Sequence, residues 1–250
     1  SSAASDVYKR QEADAPGTSK LLHEVLIDLI DIDPQNVYTP DGTIAKESIF
    51  DFCKDYEKKI EKLGGLDLTL VEFGPSGNLA FNEPGSQINS STRLMLLGSE
   101  SRHNFAKLFH SNEAVPHSAI TMGISTLLGA KKVIVVGWGE TISPYVRQAI
   151  EAPASDTVPA SFLQSHKESK FVLDLSSAEH LTRLSTPWLV TSCEWDDKLI
   201  RRAIVWLCRI TGKPILKLTN KDYNDNGLSE LLALFGSAYN VNIKIFNDLQ

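Results

Sequence analysis

Apolar residues recur along the chain with two different spacings, and their alternation predicts an α/β fold. Spacings of three or four residues are typical of amphipathic helices and predict helices at 19–32, 47–63, 120–129, 143–151 and 160–166. Short runs rich in β-branched residues predict strands at 66–73, 93–97, 132–138 and 170–175. Because these helices and strands alternate, we expect a parallel sheet that is covered by helices on both faces.

The last third of the chain has a pattern of its own. Thr191 and Glu194 have the spacing of a capping box, and an apolar helical stripe continues from them as far as Gly212. Beyond this helix, the spacing predicts strands at 215–218 and 241–246 on either side of a helix at 228–236. This segment is therefore expected to form a further α/β unit.

Composition narrows the class of protein. The net charge of −6 and the pI of about 5.5 would repel nucleic acids and anionic membrane surfaces, so neither is expected as a partner. The three cysteines show no paired spacing, which favours a reducing cytoplasm. The six histidines do not cluster, and no metal or cofactor is predicted. Residues 1–11 share no pattern with the rest of the chain and are interpreted as a foreign or disordered tail.

A glycine- and proline-rich stretch, FGPSGNLAFNEPGS at 73–86, is the strongest candidate for a ligand site. It leaves the first predicted strand at its carboxyl end, which is where open α/β sheets bind their ligands. Gly74 and Gly77 permit close approach of the backbone, and Glu83 is the only carboxylate of the stretch. These residues alone do not indicate which ligand is bound.

Two other segments carry weaker motifs. GWGETI at 137–142 comes after a strand as a dinucleotide-binding loop would, but Ile142 occupies the third glycine position, so a tight turn is the better interpretation. DYNDNG at 222–227 resembles the first half of a calcium loop, but Ala233 stands where that loop requires a glutamate. A capped turn that leads into the next helix is the favoured interpretation there.

Three segments, in order, resemble the glucosamine-6-phosphate deaminase family. NLAFNEPGS at 78–86 resembles the active-site motif G-x-x-x-D-G-H-I-A-F-N-E-P, and segments 115–136 and 158–174 resemble the family's P-x-x-A-x-T-x-G-x-x-T-L-L-x-A and S-x-L-Q-x-H stretches. The resemblance implies a Rossmann-like parallel sheet flanked by helices, as in ribose-5-phosphate isomerase and the coenzyme A transferases. It also implies hydrolytic deamination of glucosamine 6-phosphate, with aldose-to-ketose isomerisation, to give fructose 6-phosphate and ammonia.

Within this motif the chain departs from the family. The family's aspartate and histidine fall on Ser76 and Asn78, neither of which titrates near neutral pH, whereas the glutamate is retained as Glu83. A phosphate-binding arginine of the family falls on Lys107, which keeps the charge but loses the bidentate fork. The resemblance assigns the catalytic positions to Glu83, Asn78 and Ser76. It assigns substrate binding to Gly74, Gly77, Asn82 and Lys107.

The resemblance also divides the chain. Residues 12–175 match part of the deaminase-like domain, because the family's first strand, phosphate loop and C2-proton base would precede residue 12. Residues 176–250 resemble the connector of long bacterial versions, which continue into a deacetylase-like C-terminal domain. The chain is thus expected to be an N-terminally truncated fragment that is inactive by itself, and a homo-oligomer is left open.

The residues and the resemblance favour two functions from different classes. The first is an enzyme of amino-sugar catabolism that acts on a phosphorylated amino sugar. The second is a non-catalytic sugar-phosphate-binding or sensor module, which the replacements at Ser76 and Asn78 favour. A sugar-phosphate isomerase or lactonase that acts on a related substrate is a third hypothesis.

Overall fold

The computed structural model describes residues 6–8, 18–40, 44–109 and 114–248, apart from the side chains of 6–8, 18–21, 107 and 108. The described residues divide into two compact units: an N-terminal unit that ends at His180 and a C-terminal unit that begins at Leu181. The sequence predicts a division close to this point, between residues 175 and 176. Among the described helices, none combines the length and the apolar composition that crossing a bilayer requires.

The described strands of the N-terminal unit form two three-stranded sheets. The strands are β1 (Asp6–Tyr8), β2 (Leu68–Glu72), β3 (Arg93–Leu96), β4 (Ser118–Thr121), β5 (Lys132–Gly137) and β6 (Ser169–Leu173). The first sheet is parallel, in the order β2-β5-β6, and the second is antiparallel, in the order β1-β4-β3. The predicted α/β fold with a parallel sheet is confirmed, although the strand predicted at 93–97 joins the second sheet.

The helices of the described residues are distributed over both units. They are α1 (Thr18–Val25), α2 (Ile49–Lys62), α3 (Ser99–Phe109), α4 (Ile124–Leu128), α5 (Ser143–Glu151), α6 (Leu175–Ala178), α7 (Thr182–Ser185), α8 (Asp197–Thr211), α9 (Asn220–Asp225), α10 (Ser229–Phe235) and α11 (Ala238–Asp248). The helix predicted at 19–32 ends at Val25, and the one predicted at 160–166 is the 3₁₀ segment Pro159–Ser165.

β5 forms the centre of the parallel sheet. Val133 and Val135 are fully buried, and they lie in register with Thr69 and Val71 of β2. β-Branched side chains suit such a strand because they pack well on a pleated surface that is buried. The carboxyl ends of β2, β5 and β6 therefore lie at one edge of the sheet, where the candidate loop begins.

The helix predicted at 120–129 is wrong in its first part. Ser118–Thr121 form β4, and α4 begins only at Ile124. Pro116 and the β-branched residues after it favour an extended backbone over a helix. At Gly123 the chain then passes so close to the backbone of Ser90 that an added Cβ would lie 2.1 Å from its carbonyl oxygen.

Part of the N-terminal tail is ordered in a sheet. Asp6–Tyr8 form β1 and pair with β4 in antiparallel register, so that Val7 lies opposite Ala119. An extended backbone can complete the hydrogen bonds at the edge of β4, so these three residues have the geometry of a strand, and the interpretation of 1–11 as a foreign tail stays a prediction. The other residues of that tail lie outside the described part of the chain.

All secondary-structure elements in the described part of the C-terminal unit are helices, which corrects the predicted α/β unit. The strand predicted at 215–218 is a 3₁₀ turn at Ile215–Lys217, and the one predicted at 241–246 lies within α11. Val241 and Ile245, both fully buried, are four residues apart, so their spacing fits one helix face as well as it fits a strand. Its core consists of Trp188, Ile200, Ala203, Ile204, Leu207, Leu218, Tyr223, Leu228, Leu231, Ala238, Val241 and Ile245.

Caps fix where the helices of this unit begin. α8 starts behind Asp196, whose carboxylate accepts a hydrogen bond from the Leu199 amide, and the predicted cap at Thr191 is therefore wrong. α9 begins with a capping box in which Thr219 and Asp222 satisfy each other's backbone amides. Asp222 also accepts a 2.7 Å hydrogen bond from the ammonium of Lys213.

We expect this capping carboxylate to make the C-terminal unit sensitive to acid. The hydrogen bond from Lys213, with those from Thr219, lowers the pKa of Asp222 from 3.8 to about 2. The unfolded chain therefore binds a proton more readily than the folded one, so stability falls as the pH drops from about 4 to about 2. Tryptophan fluorescence during acid unfolding should show this fall, and Asp222→Asn should remove it. Asp225→Asn, at the exposed end of α9, is the control and should unfold like the wild type.

Glu57 of α2 joins three elements of the N-terminal unit. Its Oε1 accepts hydrogen bonds of 2.6 Å from the Thr92 amide and from the Thr126 hydroxyl. Thr92 precedes β3 and Thr126 lies in α4, so a single carboxylate oxygen holds α2 against both. Hydrogen bonds to a charged group are stronger than neutral ones.

Removing this charge should destabilise the protein. We expect Glu57→Gln to lower the free energy of unfolding by about 1–2 kcal/mol, because both donors then face a neutral acceptor. Urea denaturation measures the change. Glu61→Gln, one turn later on the exposed side of α2, should stay within about 0.5 kcal/mol of the wild type. Equal midpoints for the two variants would contradict the prediction.

Candidate active site

The candidate loop 73–86 is anchored at the carboxyl end of the parallel sheet. The Phe73 amide donates a 2.7 Å hydrogen bond to the Val136 carbonyl of β5, and Phe73 pairs with Leu79 as the loop folds back. Phe73, Leu79 and Phe81 are buried. Apolar side chains thus hold the loop down at the position where ligands bind in open α/β sheets.

Ser76 and Asn78 are bonded to each other and to the loop itself. The Ser76 hydroxyl donates to Asn78 Oδ1 at 3.1 Å, and Asn78 Nδ2 donates to the Ala80 carbonyl at 2.7 Å. The Asn78 side chain is buried and fills the space above Gly74, where an added Cβ would lie 2.2 Å from its Oδ1. In this arrangement Asn78 shapes the loop, and Gly74 makes room for it.

Three positions of the loop, Gly77, Ala80 and Gly85, have a left-handed backbone. Gly77 has φ +76° and is buried beneath Val158, and Ala80 has φ +50° although it is not a glycine. A left-handed alanine stores strain that the surrounding contacts must hold. The hydrogen bond from Asn78 to the Ala80 carbonyl is one such contact.

Asn82 connects the loop by hydrogen bonds to residues next to β4 and at the start of β3. Its Nδ2 donates to the carbonyls of Leu79 and Met122, and its Oδ1 accepts a 2.9 Å hydrogen bond from the Arg93 guanidinium. Arg93 also donates to the Ser86 hydroxyl at 3.0 Å, so it binds one loop residue before Glu83 and one after it. Burial lowers the pKa of Arg93, but an arginine stays charged in proteins.

Glu83 is the one carboxylate of the loop, and part of it has no partner. The residue is 9% exposed, and its Oε1 accepts no hydrogen bond from the described residues. Both carboxylate oxygens lie over Gly98, which directly precedes α3: an added Cβ there would be 3.2 Å from Oε2 and 3.9 Å from Oε1. A buried oxygen without a partner is costly, which favours a bound water or ligand at this point.

The remaining predicted residue, Lys107, lies on α3, but its side chain is outside the described part of the chain. Ser76, Asn78, Asn82 and Glu83 lie in one loop whose backbone Gly74 and Gly77 shape, and of these four side chains Ser76 and Asn78 bond to each other. Their roles in catalysis or binding stay predictions. Sequence reasoning missed Arg93, whose only signal was a lone charge at the start of an apolar strand.

The two weaker motifs take part in local structure. The Gly139 amide, in the former dinucleotide candidate, donates to the Asp174 carboxylate, and hydrogen bonds from Ser177 and Gly139 lower the pKa of Asp174. In the calcium candidate, residues 222–225 form the last part of α9, and Asn226 and Gly227 follow this helix. Within the described ranges, no group of three or more histidine, cysteine, aspartate or glutamate side chains could hold a metal ion.

The fold and the loop together define an α/β protein with a candidate ligand site at the carboxyl edge of its parallel sheet. A family model described as glucosamine-6-phosphate isomerases/6-phosphogluconolactonase matches residues 11–172. The chain belongs to this family.

Relatives and solved structures agree with this membership. A protein of Bacteroides thetaiotaomicron described only as glucosamine-6-phosphate deaminase-like is 62% identical over 229 residues, which are 92% of this chain and 34% of that protein. A glucosamine-6-phosphate deaminase of Shewanella woodyi is 37% identical over 64% of this chain and 60% of its own length. The chain thus spans about a third of the first relative and three fifths of the second.

Among solved structures, a monomeric glucosamine-6-phosphate deaminase superposes with a TM-score of 0.66 and 30% identity, over 70% of this chain and 72% of its own. The 6-phosphogluconolactonase of Trypanosoma brucei superposes with a TM-score of 0.54 over 70% of this chain and 72% of its own. At 20% identity, this second likeness shows the fold alone.

The contacts of Asn78 predict the effect of an isosteric change. Asn78→Asp keeps the shape but places an oxygen against the Ala80 carbonyl, so we expect the free energy of unfolding to fall by about 1–3 kcal/mol. Denaturant unfolding measures this loss. Asn89→Asp, in the exposed part of the segment after the loop, is the matched control and should change stability by less than about 0.5 kcal/mol. Equal stability of the two variants would show that the Asn78 amide does not hold the loop.

Proposed function

We propose that the chain is the deaminase-like part of an enzyme of amino-sugar catabolism, which converts glucosamine 6-phosphate into fructose 6-phosphate and ammonia. The observation that carries this proposal is Glu83, a buried carboxylate with an unpartnered oxygen in the loop that matches the family's active-site motif. Membership of the family and the likeness to a solved glucosamine-6-phosphate deaminase support it.

The proposed chemistry assigns proton transfer to Glu83. Opening the sugar ring requires a group that takes up a proton from one oxygen and returns it to another, and a carboxylate can do both. Ser76 and Asn78 replace the family's aspartate and histidine, and their hydrogen bonds to each other leave them no such role. Loss of one positioned proton-transfer group typically costs on the order of 10²–10⁴ in rate, so we expect slow turnover.

The proposed ligand is a phosphorylated amino sugar, with Lys107 near its phosphate and the Gly74 to Gly77 backbone beside it. We also propose a location in the cytoplasm, which the three cysteines support because each is a free thiol. Homo-oligomerisation and a covalently attached C-terminal domain stay proposals of the same kind. No cofactor is required by the proposed reaction.

A second candidate function is a non-catalytic sugar-phosphate-binding module. The specific observation that favours it is the closed hydrogen-bond pair of Ser76 and Asn78, which maintains the shape of the loop without any titratable group. Such a module would keep the pocket and use binding energy for sensing.

Turnover tests the first proposal. The natural protein that carries this sequence is incubated with glucosamine 6-phosphate, and release of ammonia is followed with a coupled assay. We expect slow release that Glu83→Gln reduces by about 100-fold or more, because the amide cannot exchange the proton. Glu100→Gln, exposed in the first turn of α3, is the control and should keep the wild-type rate.

The two functions give different results in this experiment. Absence of ammonia above background at high enzyme concentration would contradict the enzyme. If glucosamine 6-phosphate then still raised the melting temperature, the binding module would be supported, since a ligand that binds only the folded state stabilises it. An unchanged melting temperature at millimolar ligand would argue against both.

A further inference from the structure

Ser101 of α3 is a second buried polar side chain without a partner. It is 2% exposed, and its hydroxyl makes no hydrogen bond within the described residues. Buried hydroxyl groups almost always have a partner, so this exception requires an explanation. Family resemblance assigns no role to this position.

The fold directs Ser101 toward the candidate loop. Residues four apart lie on the same face of a helix, so Ser101 shares its face with Phe105. The ring of Phe105 lies 5.1 Å from that of Phe81, two residues before Glu83 in the loop. The face of α3 that carries Ser101 is therefore the face that packs on the loop.

The position of Gly98 relates Glu83 to Ser101, because Gly98 lies close to one and three residues before the other. The Oε1 atom of Glu83 lies 3.9 Å from the position of a Cβ on Gly98. Side chains three residues apart on a helix have Cβ atoms about 5–6 Å from each other, which is the spacing of Gly98 and Ser101. Glu83 Oε1 and the Ser101 hydroxyl, both without a partner among the described residues, thus lie at the same N-terminal turn of α3.

The chemistry of the two atoms is complementary. The Ser101 hydroxyl can donate to an oxygen, and Glu83 Oε1 can accept a hydrogen bond from that same oxygen if it is a hydroxyl. A water molecule has the donors and acceptors that both atoms require in the free protein. A sugar hydroxyl has the same donor and acceptor capacity and can displace that water.

We propose that Ser101 and Glu83 together hold one hydroxyl group of the bound sugar phosphate, which makes Ser101 a substrate-binding residue. This inference rests on the proposed function for the nature of the ligand. It adds a residue from α3 to a site otherwise built from the loop, and it makes the orientation of the sugar depend on Ser101.

Ligand binding, measured without turnover, tests this role of Ser101. Affinity for glucosamine 6-phosphate is measured by calorimetry for the wild type and Ser101→Ala, together with three monodeoxy analogues that lack the hydroxyl at C1, C3 or C4. Against the wild type, one analogue should bind about tenfold more weakly, since it leaves both buried groups unpaired. Against Ser101→Ala, the same analogue and the parent sugar should differ by less than about threefold, because the hydroxyl has already lost one partner.

The melting temperature of the Ser101→Ala variant distinguishes a role of Ser101 in substrate binding from a role in the stability of the fold. Because the Ser101 hydroxyl bonds to no described residue, Ser101→Ala should keep its melting temperature without ligand within about 2 °C of the wild type. Ser99→Ala, exposed at the start of the same helix, is the matched control and should leave sugar affinity and analogue discrimination unchanged.

Three results would overturn the proposal. The first is equal discrimination among the analogues by the wild type and by Ser101→Ala. The second is a lower melting temperature of Ser101→Ala with the same loss of affinity for every analogue, which would mean a structural role. The third is absence of sugar-phosphate binding by the wild type, which would also end the proposed function; the first two results leave that function standing.

Discussion

The N-terminal unit depends on one constraint: a polar loop is buried at the end of a parallel sheet, and its polar groups must find partners there. Asn82 meets this constraint most completely, because its fully buried amide bonds two carbonyls and the guanidinium of Arg93. Arg93 in turn fixes β3 beside the loop, although β3 belongs to a different sheet. The two sheets are thus joined through side-chain hydrogen bonds around Glu83.

The same constraint explains how the loop accommodates its departures from the family motif. Ser76 and Asn78 cannot exchange protons near neutral pH, but they satisfy each other and the Ala80 carbonyl. A side chain at position 78 can take part in the chemistry and can hold the shape of the loop, and asparagine does the second. Glu83 contrasts with both residues, since it is buried with an oxygen that the fold leaves unbonded.

Much of the parallel sheet and the helices around it could be predicted from local pattern, because Val133 and Val135 lie in a run that only a buried strand suits. The C-terminal unit could not be predicted as well. Val241 and Ile245 fit a strand and a helix equally, and only packing around Tyr223 and its neighbours decides between them. The pattern does not predict α3, because its residues 99–104 are all polar and carry no apolar spacing. The surroundings of Glu83, Arg93 and Ser101 depend on contacts between distant segments, which a single sequence does not record.

The absence of a side chain at Gly98 affects how the Glu83 carboxylate can be placed, and this also holds for relatives of this protein. Both oxygens of Glu83 lie within 4 Å of the place where a side chain on residue 98 would begin. In a protein that carries the same glutamate together with alanine here, the carboxylate has to shift by a few tenths of an ångström, because the added Cβ would lie 3.2 Å from Oε2. The residue before α3 therefore affects how closely the carboxylate can approach this helix.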